Sequence, residues 1–277
     1  MSTTTTDQND PSASAVDIGP SGPVGRGIEI TGVGRRFGEV EALRGLTLTA
    51  SPGERLALVG ASGCGKSTLL ELIAGLSEPD VGTIAVGGQR AAESRLKACA
   101  WMPQRDLLLP WRRADDNAAL GLRVDGVGKR EARRRGGEML ARLGIGEFAD
   151  NRPSQLSGGM RQRVAFARTL LAGKPVLLLD EPLAALDAIT RADLQDLLVS
   201  TLTQLNRTTV LVTHDVEEAL FVADRVLLLS PRPGRVVWQT RSPVDRSVPR
   251  AAAISAPAFV AAREAALAQL AKAREKP

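Results

Sequence analysis

The stretch "RLALVGASGCGKST", residues 55–68, joins a short apolar run to a glycine-rich loop that ends in lysine, serine and threonine. The loop fits the pattern G-x-x-x-x-G-K-[ST], which requires a strand before it and a helix after it. The run at 55–60 is typical of a strand, and helical periodicity begins near Lys66 and continues to residue 75. The stretch therefore predicts an α/β fold with a phosphate-binding loop.

The chemistry of phosphate binding requires this order of residues. Glycines allow the backbone N–H groups to turn towards phosphate oxygens, and the following helix directs its positive end at the same anion. Lys66 is expected to reach the β- and γ-phosphates, and Ser67 is expected to ligate Mg²⁺. No redox role is expected for Cys64. The predicted nucleotide-binding residues of the loop are Gly60, Ala61, Ser62, Gly63, Cys64, Gly65, Lys66, Ser67 and Thr68.

A second apolar run, "VLLLDE" at residues 176–181, ends in two carboxylates. A strand here would bring Asp180 to the carboxyl end of the sheet, near the expected Mg²⁺. Glu181 comes next and is placed to accept a proton from an attacking water, a role typically worth about 10²–10⁴-fold in rate. Without a phosphate loop, the same residues would be interpreted as an acidic turn in solvent.

The alternation of strands and helices predicts the architecture. Strand-like runs occur at 27–33, 46–50, 55–60, 83–88, 99–104, 176–180, 209–213, 225–230 and 235–240. Helical periodicity occurs at 66–75, about 128–143, 158–172, 188–204 and 216–223. The continuously apolar runs favour a parallel sheet that is buried on both faces. The Arg-rich stretch 105–172 has no convincing strand and is predicted to be an inserted helical subdomain.

The composition is that of a soluble globular protein, with 43% hydrophobic and 24% charged residues. No run approaches the length of apolar sequence that spans a bilayer. Residues 1–26 are predicted to be a disordered tail and not a secretory signal. Residues 27–249 form the predicted catalytic domain, and 250–277 a C-terminal extension with one Ala-rich helix. The two cysteines predict no disulfide framework.

The charge is uneven along the chain. Residues 101–170 contain 14 Arg and Lys and 8 Asp and Glu, a net charge of +6, whereas the whole chain carries +5. A basic segment of this kind is compatible with nucleic acid, with an anionic membrane surface, or with a solvated face.

A competing glycine motif, "GVGRRFG" at residues 32–38, does not predict a dinucleotide site. Its spacing is G-x-G-x-x-x-G and not G-x-G-x-x-G, and no long helical pattern follows it. The phosphate loop at 60–68 is therefore the nucleotide motif of this chain.

The segment "LSGGMRQRVAFARTLL", residues 156–171, identifies the family that the chain resembles. Ser157 is a good helix cap, and two glycines and an amphipathic Arg-rich helix follow it. The segment resembles the signature sequence of ATP-binding cassette (ABC) ATPases, and it lies just before "VLLLDEP". The resemblance covers about residues 27–240. It implies a P-loop NTPase cassette with a mainly parallel core sheet, an antiparallel β subdomain and an inserted helical subdomain.

The resemblance also implies roles for residues outside the two phosphate-site motifs. Phe37 matches the aromatic residue that stacks on adenine, although a core position is the alternative. Gln104 matches the glutamine that contacts Mg²⁺ and water. Asp187 of "AALD" matches the dimer-interface loop, in which many relatives have Ser where Ala184 stands. His214, the only histidine, matches the histidine that contacts the γ-phosphate.

In this family, the signature residues of one subunit complete the ATP site of its partner. Ser157, Gly158 and Gly159 are therefore expected to face the phosphate loop of a second copy, with two ATP molecules between the copies. Catalysis is assigned to Lys66, Gln104, Glu181 and His214, and Mg²⁺ binding to Ser67, Gln104 and Asp180.

Three classes of function are compatible with a phosphate loop. An unrelated P-loop kinase or GTPase would not carry "LSGG" in this order. A soluble ABC protein acting on DNA or ribosomes usually has long coiled coils or two cassettes. An importer ATPase that works on separate membrane subunits is expected, since the cassette is short and has no transmembrane segment. That assignment places it at the cytoplasmic face of the cell membrane, with two permease subunits, a substrate-binding protein acting indirectly, and no nucleic acid.

The segments "QRDLLLPWRRADDNAALGL" and "LLLSPRPGRV" resemble the nitrate, sulfonate and taurine group of bacterial importers. Aliphatic sulfonates are the first choice of substrate. The apolar "LLLPW" is expected to line the groove for a short helix of the membrane subunit, although packing under a loop is the alternative.

Overall fold

The computed structural model describes residues 24–184 and 188–275, and these contain two sheets and ten α-helices. The strands are β1 Ile28–Phe37, β2 Val40–Ala50, β3 Arg55–Val59, β4 Val81–Val86, β5 Cys99–Met102, β6 Val176–Asp180, β7 Thr208–Thr213, β8 Arg225–Leu229 and β9 Val236–Arg241. The helices are α1 Lys66–Ala74, α2 Ala92–Ala98, α3 Ala114–Ala118, α4 Leu120–Val124, α5 Lys129–Arg142, α6 Gly158–Leu171, α7 Ala188–Leu205, α8 Val216–Val222, α9 Arg250–Ser255 and α10 Pro257–Glu275.

The larger sheet has six strands in the order β5-β6-β7-β3-β8-β9. Its first five strands are parallel and β9 is antiparallel to β8. The smaller sheet is antiparallel, in the order β2-β1-β4. The predicted α/β class, with a mainly parallel core sheet and an antiparallel β subdomain, is thus confirmed.

The central strands are buried on both faces, because alternate residues of each strand enter different cores. Leu56 and Leu58 of β3 pack in the core shared with α1 and the smaller sheet. Ala57 and Val59 pack in the core formed by helices α5, α6, α8 and α10. Every residue of β6 and β7 is buried, which explains why the central residues of both strands are apolar without alternation.

The stretch 105–172 contains α3, α4, α5 and α6 and no strand, all within the described residues. Asn117 is fully buried and stabilises the start of this region. Its side chain accepts a hydrogen bond from the Leu109 N–H and donates one to the Leu109 carbonyl. These four helices agree with the prediction that residues 105–172 are helical and contain no strand. The domain boundaries themselves, at 26, 105–172 and 249, stay predictions.

Two parts of the fold differ from the sequence pattern. Helix α2 was not predicted, because its buried positions are Arg95 and Ala98, which do not form an apolar stripe of helical period. The C-terminal segment forms two helices, since Ala256 is extended immediately before Pro257, as sterics require of a residue that precedes proline. The predicted N-terminal tail lies outside the described residues up to residue 23. Among the described residues, no helix is long and apolar enough to cross a membrane.

Candidate nucleotide site

The parallel strands determine where the site lies. The phosphate loop follows β3, and the segments after β5, β6, β7 and β8 emerge at the same edge of the sheet. Ligands in open parallel sheets bind at this carboxyl edge. Four chain segments distant in sequence therefore converge on the loop.

The backbone of the phosphate loop can be formed only with glycine at two positions. Gly63 and Gly65 have φ values of 76° and 96°, in the left-handed region that side chains disfavour. A Cβ atom on Gly65 would also lie 2.7 Å from the Leu43 side chain. Gly65 is the N-terminal cap of α1, so the positive end of this helix follows the loop directly.

Lys66 lies beneath the loop and is only 6% exposed. Its Nζ donates to the carbonyl oxygens of Gly60, at 2.8 Å, and of Ala61, at 2.9 Å. A buried ammonium needs such acceptors, and phosphate oxygens of a nucleotide in the loop would serve equally well. Burial raises the pKa of the neighbouring Cys64 thiol, which disfavours the reactive thiolate.

Ser67 and Asp180 supply the oxygen atoms expected of a magnesium site. Asp180 is 3% exposed at the end of β6, and burial raises its pKa although a hydrogen bond from the Ser67 hydroxyl acts in the opposite direction. A buried carboxylate beside a hydroxyl fits a hard divalent cation, because the cation offsets the cost of burying the charge. The third predicted ligand, Gln104, lies on the segment that follows β5.

Three predicted catalytic residues, Gln104, Glu181 and His214, lie close together. The Glu181 Oε2 accepts a hydrogen bond from Gln104 Nε2 at 3.0 Å and lies 3.5 Å from His214 Nδ1. The Glu181 side chain is 17% exposed, whereas that of His214 is 63% exposed and open to a ligand. The three side chains come from the ends of β5, β6 and β7, which are neighbours in the sheet.

The backbone of Glu181 has φ 48°, which is unusual for a residue with a side chain. Its N–H donates to the Val212 carbonyl at 2.8 Å, and this bond to β7 helps to hold the strained turn. Strain of this kind is typical of functional sites, where it sets the direction of a side chain.

The histidine segment is held by two carboxylates that the sequence reasoning missed. Asp215 caps α8 by accepting from the N–H groups of Glu217 and Glu218. Glu218 is 4% exposed, and burial raises its pKa to about 8. It accepts a hydrogen bond from the Thr213 hydroxyl, which in turn accepts from the Asp215 N–H. The signal available in the sequence was an acidic residue on the buried face of a short helix.

The signature segment forms a helix start that is open to solvent. The Ser157 hydroxyl accepts from the Met160 N–H at 3.2 Å, and α6 begins at Gly158. Within the described residues, no hydrogen bond joins Ser157, Gly158 or Gly159 to the phosphate loop. This placement is compatible with the expectation that they serve the loop of a second copy.

The loop after β5 links the signature helix to the catalytic side chains. Asp106 pairs with Arg161 of α6 at 3.0 Å, and Arg168 of α6 donates to the Leu107 carbonyl at 2.8 Å. Gln104, two residues before Asp106, bonds Glu181. A displacement of α6 would therefore be transmitted to the residue that is proposed to act on water.

Two further predicted residues lie at the margin of the site. The Phe37 ring is 49% exposed at the end of β1, with the Arg35 guanidinium 5.0 Å from its centroid. Because half of the ring is exposed, the alternative of a core phenylalanine is wrong, and stacking on adenine stays a prediction. Asp187 lies outside the described residues, and Ala184, in the same predicted interface loop, is exposed.

The family comparison agrees with the fold. A family model described as ABC transporter matches residues 43–184. Among curated relatives, an aliphatic sulfonates import ATP-binding protein of Ralstonia nicotianae is 46% identical over 249 residues, which cover 88% of this chain and 82% of that protein. A taurine import ATP-binding protein of Chromobacterium violaceum is 44% identical over 233 residues, which cover 83% of this chain and 89% of that protein.

Solved structures give the same result. A dimeric ATP-binding cassette in a post-hydrolysis state, bound to ADP and Pi, superposes with a TM-score of 0.70 at 30% identity. The match covers 77% of this chain and 98% of that one. A dimeric bacterial ABC transporter cassette superposes with a TM-score of 0.69 at 31% identity, with the same coverage.

Proposed function

This chain belongs to the ABC transporter family and is an ATP hydrolase of an import system, and from this premise we propose that it energises the uptake of aliphatic sulfonates or a related small anion such as taurine or nitrate. The observation that carries the substrate class is identity of more than 40% to sulfonate and taurine import ATP-binding proteins over most of the chain. No observation favours the nucleic-acid alternative.

In the proposed mechanism, Phe37 stacks on adenine while Lys66 and the loop N–H groups bind the phosphates. Mg²⁺ held by Ser67, Asp180 and Gln104 would neutralise charge on the phosphates. Glu181 takes a proton from the attacking water, and His214 bonds the γ-phosphate. The hydrogen bond from Gln104 and the nearby His214 imidazole would keep the Glu181 carboxylate aimed at the position where the water would stand.

We further propose that two copies enclose two ATP molecules, with Ser157, Gly158, Gly159 and Asp187 at the shared interface. ATP that contacts both copies binds the closed state more tightly than the open state, so binding closes the dimer and hydrolysis releases it. The dimeric state of both structural neighbours supports this arrangement.

A heterodimer tests whether the sites are shared. A His214→Ala chain paired with a Ser157→Arg chain has both defects in one site and one intact site when the sites are completed in trans. We expect it to hydrolyse ATP well above either variant homodimer. The matched control pairs a wild-type chain with a chain carrying both substitutions, which damages both sites and is expected to be inactive. The measurement is ATPase activity of dimers purified with two different tags. The reverse ranking of the two heterodimers would show that each site is formed by one chain.

The proposed docking surface for the permease is the apolar part of the loop after β5. Leu107 and Trp111 are 57% and 69% exposed, whereas Leu108 of the same segment is buried. The alternative of packing under the loop therefore applies to Leu108 but not to Leu107 or Trp111. The loop is bonded to α6, and its apolar part begins three residues after Gln104, so a permease helix seated here would be coupled to the catalytic site.

The charge of this region agrees with a place at the membrane surface. Within α5, Arg134 pairs with Glu131 and Glu138 and Arg135 pairs with Glu131, and the net charge of +6 in residues 101–170 remains after these carboxylates are counted. We propose that the region faces two permease subunits and the anionic cytoplasmic leaflet, which makes the chain peripheral to the inner membrane. The substrate-binding protein would act through the permease and not on this chain.

Trp111→Glu is expected to lower sulfonate uptake by at least about tenfold, because an exposed tryptophan at the centre of an interface is a typical binding hot spot. ATP binding by the isolated chain is expected to stay unchanged. Leu96→Glu is the matched control, since Leu96 is an exposed apolar residue, 49% accessible, on α2. Equal loss of uptake in the two variants would contradict the assignment of this surface.

The substrate class is tested in cells that lack the gene. We expect such cells to lose growth on an alkanesulfonate as the only sulfur source and to keep growth on sulfate. The wild-type gene is expected to restore growth, and a Lys66→Ala gene is not. Unchanged growth and unchanged uptake of labelled sulfonate and taurine would remove sulfonates from the proposal and leave nitrate to be tested by uptake.

A further inference from the structure

The segment between β8 and β9, residues 230–235, packs against the phosphate loop. We call these residues, "SPRPGR", the supporting loop. The segment follows β8, which is paired with β3, so it emerges beside the loop at the carboxyl edge of the sheet. None of its residues carries a role in the proposed mechanism.

The backbone of the supporting loop is fixed against the phosphate loop at Gly234. A Cβ atom on this residue would lie 2.2 Å from the Cys64 carbonyl oxygen, so only glycine can pack here. The Gly234 N–H donates to Ala42 at 2.9 Å, and its carbonyl accepts from Arg44 at 3.2 Å. The supporting loop is thus fastened to β2 on one side while it contacts the phosphate loop on the other.

Arg232 makes the one side-chain hydrogen bond between the described parts of the two loops. Its Nε donates to the Gly63 carbonyl at 3.1 Å. A loop that directs its N–H groups inward at an anion must direct its carbonyls outward, where they need donors of their own. The Gly60 carbonyl accepts from Lys66, and the Ala61 carbonyl accepts from Lys66 and from the Cys64 N–H. The Gly63 carbonyl has Arg232.

We propose that Arg232 is a positioning residue for the phosphate loop: by holding the Gly63 carbonyl outward, it keeps the loop in the conformation that binds nucleotide. The effect is on nucleotide affinity and not on the hydrolytic step. Glu181 bonds Gln104 and lies 3.5 Å from His214, and among the described residues Arg232 forms no hydrogen bond or ion pair with any of the three. The proposal concerns nucleotide binding and does not depend on the transported substrate.

The alternative is that Arg232 acts only through its charge. It lines a cleft of about 1020 Å³ together with four other cationic residues and no carboxylate among the described lining residues. The other cations are Arg44, Arg235, Lys272 and Arg274. Arg235 belongs to the same supporting loop, is exposed, and makes no side-chain contact with the phosphate loop among the described residues. It therefore provides a control with the same charge in nearly the same place.

The test compares Arg232→Met, Arg232→Lys and Arg235→Met in the purified full chain. Arg232→Met is expected to raise the Kd for ADP and the KM for ATP by about tenfold, with kcat within about twofold of wild type. Arg232→Lys restores a donor of similar reach and is expected to recover most of the affinity. Arg235→Met is expected to bind ADP as the wild type does. The measurements are calorimetric titration with ADP and steady-state ATPase kinetics.

Three results would overturn the proposal. Wild-type ADP affinity in Arg232→Met would show that the contact is irrelevant. An equal loss in Arg235→Met would assign the effect to cleft charge, and a fall in kcat at unchanged KM would assign it to the chemical step. Melting of each variant without nucleotide identifies a general loss of stability. If Arg232→Met proves unstable, Gly234→Ala displaces the supporting loop while it keeps the arginine, and unchanged ADP affinity in that variant would also overturn the proposal.

Discussion

Lys66→Ala is expected to abolish ATP hydrolysis. The ammonium lies beneath the phosphate loop, 6% exposed, within 2.9 Å of two loop carbonyls, so it is already at the place where phosphate oxygens would bind. Interactions aimed at the charge that develops in a phosphoryl-transfer transition state are usually the largest single contribution to rate. No other lysine or arginine side chain contacts the carbonyls of Gly60 and Ala61 within the described residues. The expected loss is about 10³-fold or more, which is the scale of a missing phosphate-stabilising cation.

The measurement for Lys66 is the turnover number of purified protein, together with the Kd for ADP, which is expected to rise. Lys97→Ala, which removes an exposed lysine from α2, is the matched control and is expected to behave as wild type. Lys66→Arg keeps the charge, but its larger head group does not fit the buried position, so it is expected to be inactive as well. Normal turnover in Lys66→Ala would contradict the assignment of the nucleotide site.

Glu181→Gln is expected to slow hydrolysis by at least about 10²-fold and to keep ATP binding. Glutamine has the same shape as glutamate but cannot accept the proton of the attacking water. Its amide can still bond Gln104, so the turn at φ 48° is preserved. Because hydrolysis is what opens the proposed dimer, the variant should accumulate as a closed dimer in the presence of ATP.

Single-turnover hydrolysis and size-exclusion chromatography with ATP measure the two effects of Glu181→Gln. Glu217→Gln is the control, since Glu217 is an acidic residue on α8 that pairs with Arg250 and Arg263 and does not contact Gln104 or His214. A Glu181→Gln protein that hydrolyses ATP at the normal rate and stays monomeric would reject the role of general base and the closing model together.

The sequence by itself predicted the elements whose signals are local. The phosphate loop, the helix that begins at Lys66 and the strand that ends at Asp180 depend on residues within a few positions of one another. Each of the nine strand-like runs forms a strand, since apolar content and turn residues act over short distances. Helices α3 and α4 have five residues each, too few to show a helical period, and α2 lacks an apolar stripe.

The sequence reached the catalytic group only as separate residues assigned by resemblance. That Gln104 and His214 flank one oxygen of Glu181 follows from the strand order β5-β6-β7, which brings together residues up to 110 positions apart. The same pattern of apolar runs is compatible with other strand orders, so local periodicity does not encode this contact. The left-handed backbone of Glu181 is likewise held by a bond to β7 and has no local signal.

The support of the phosphate loop was decided only by the tertiary structure. Arg232 and Gly63 are 169 residues apart and meet because β8 pairs with β3, which places the ends of both strands side by side. The sequence shows "PRPG" as a turn and nothing more, since proline and glycine determine the local path of a chain and not its neighbour. What the residues can bind was therefore set by local chemistry, and which residues act on one another was set by how the strands are ordered in the sheet.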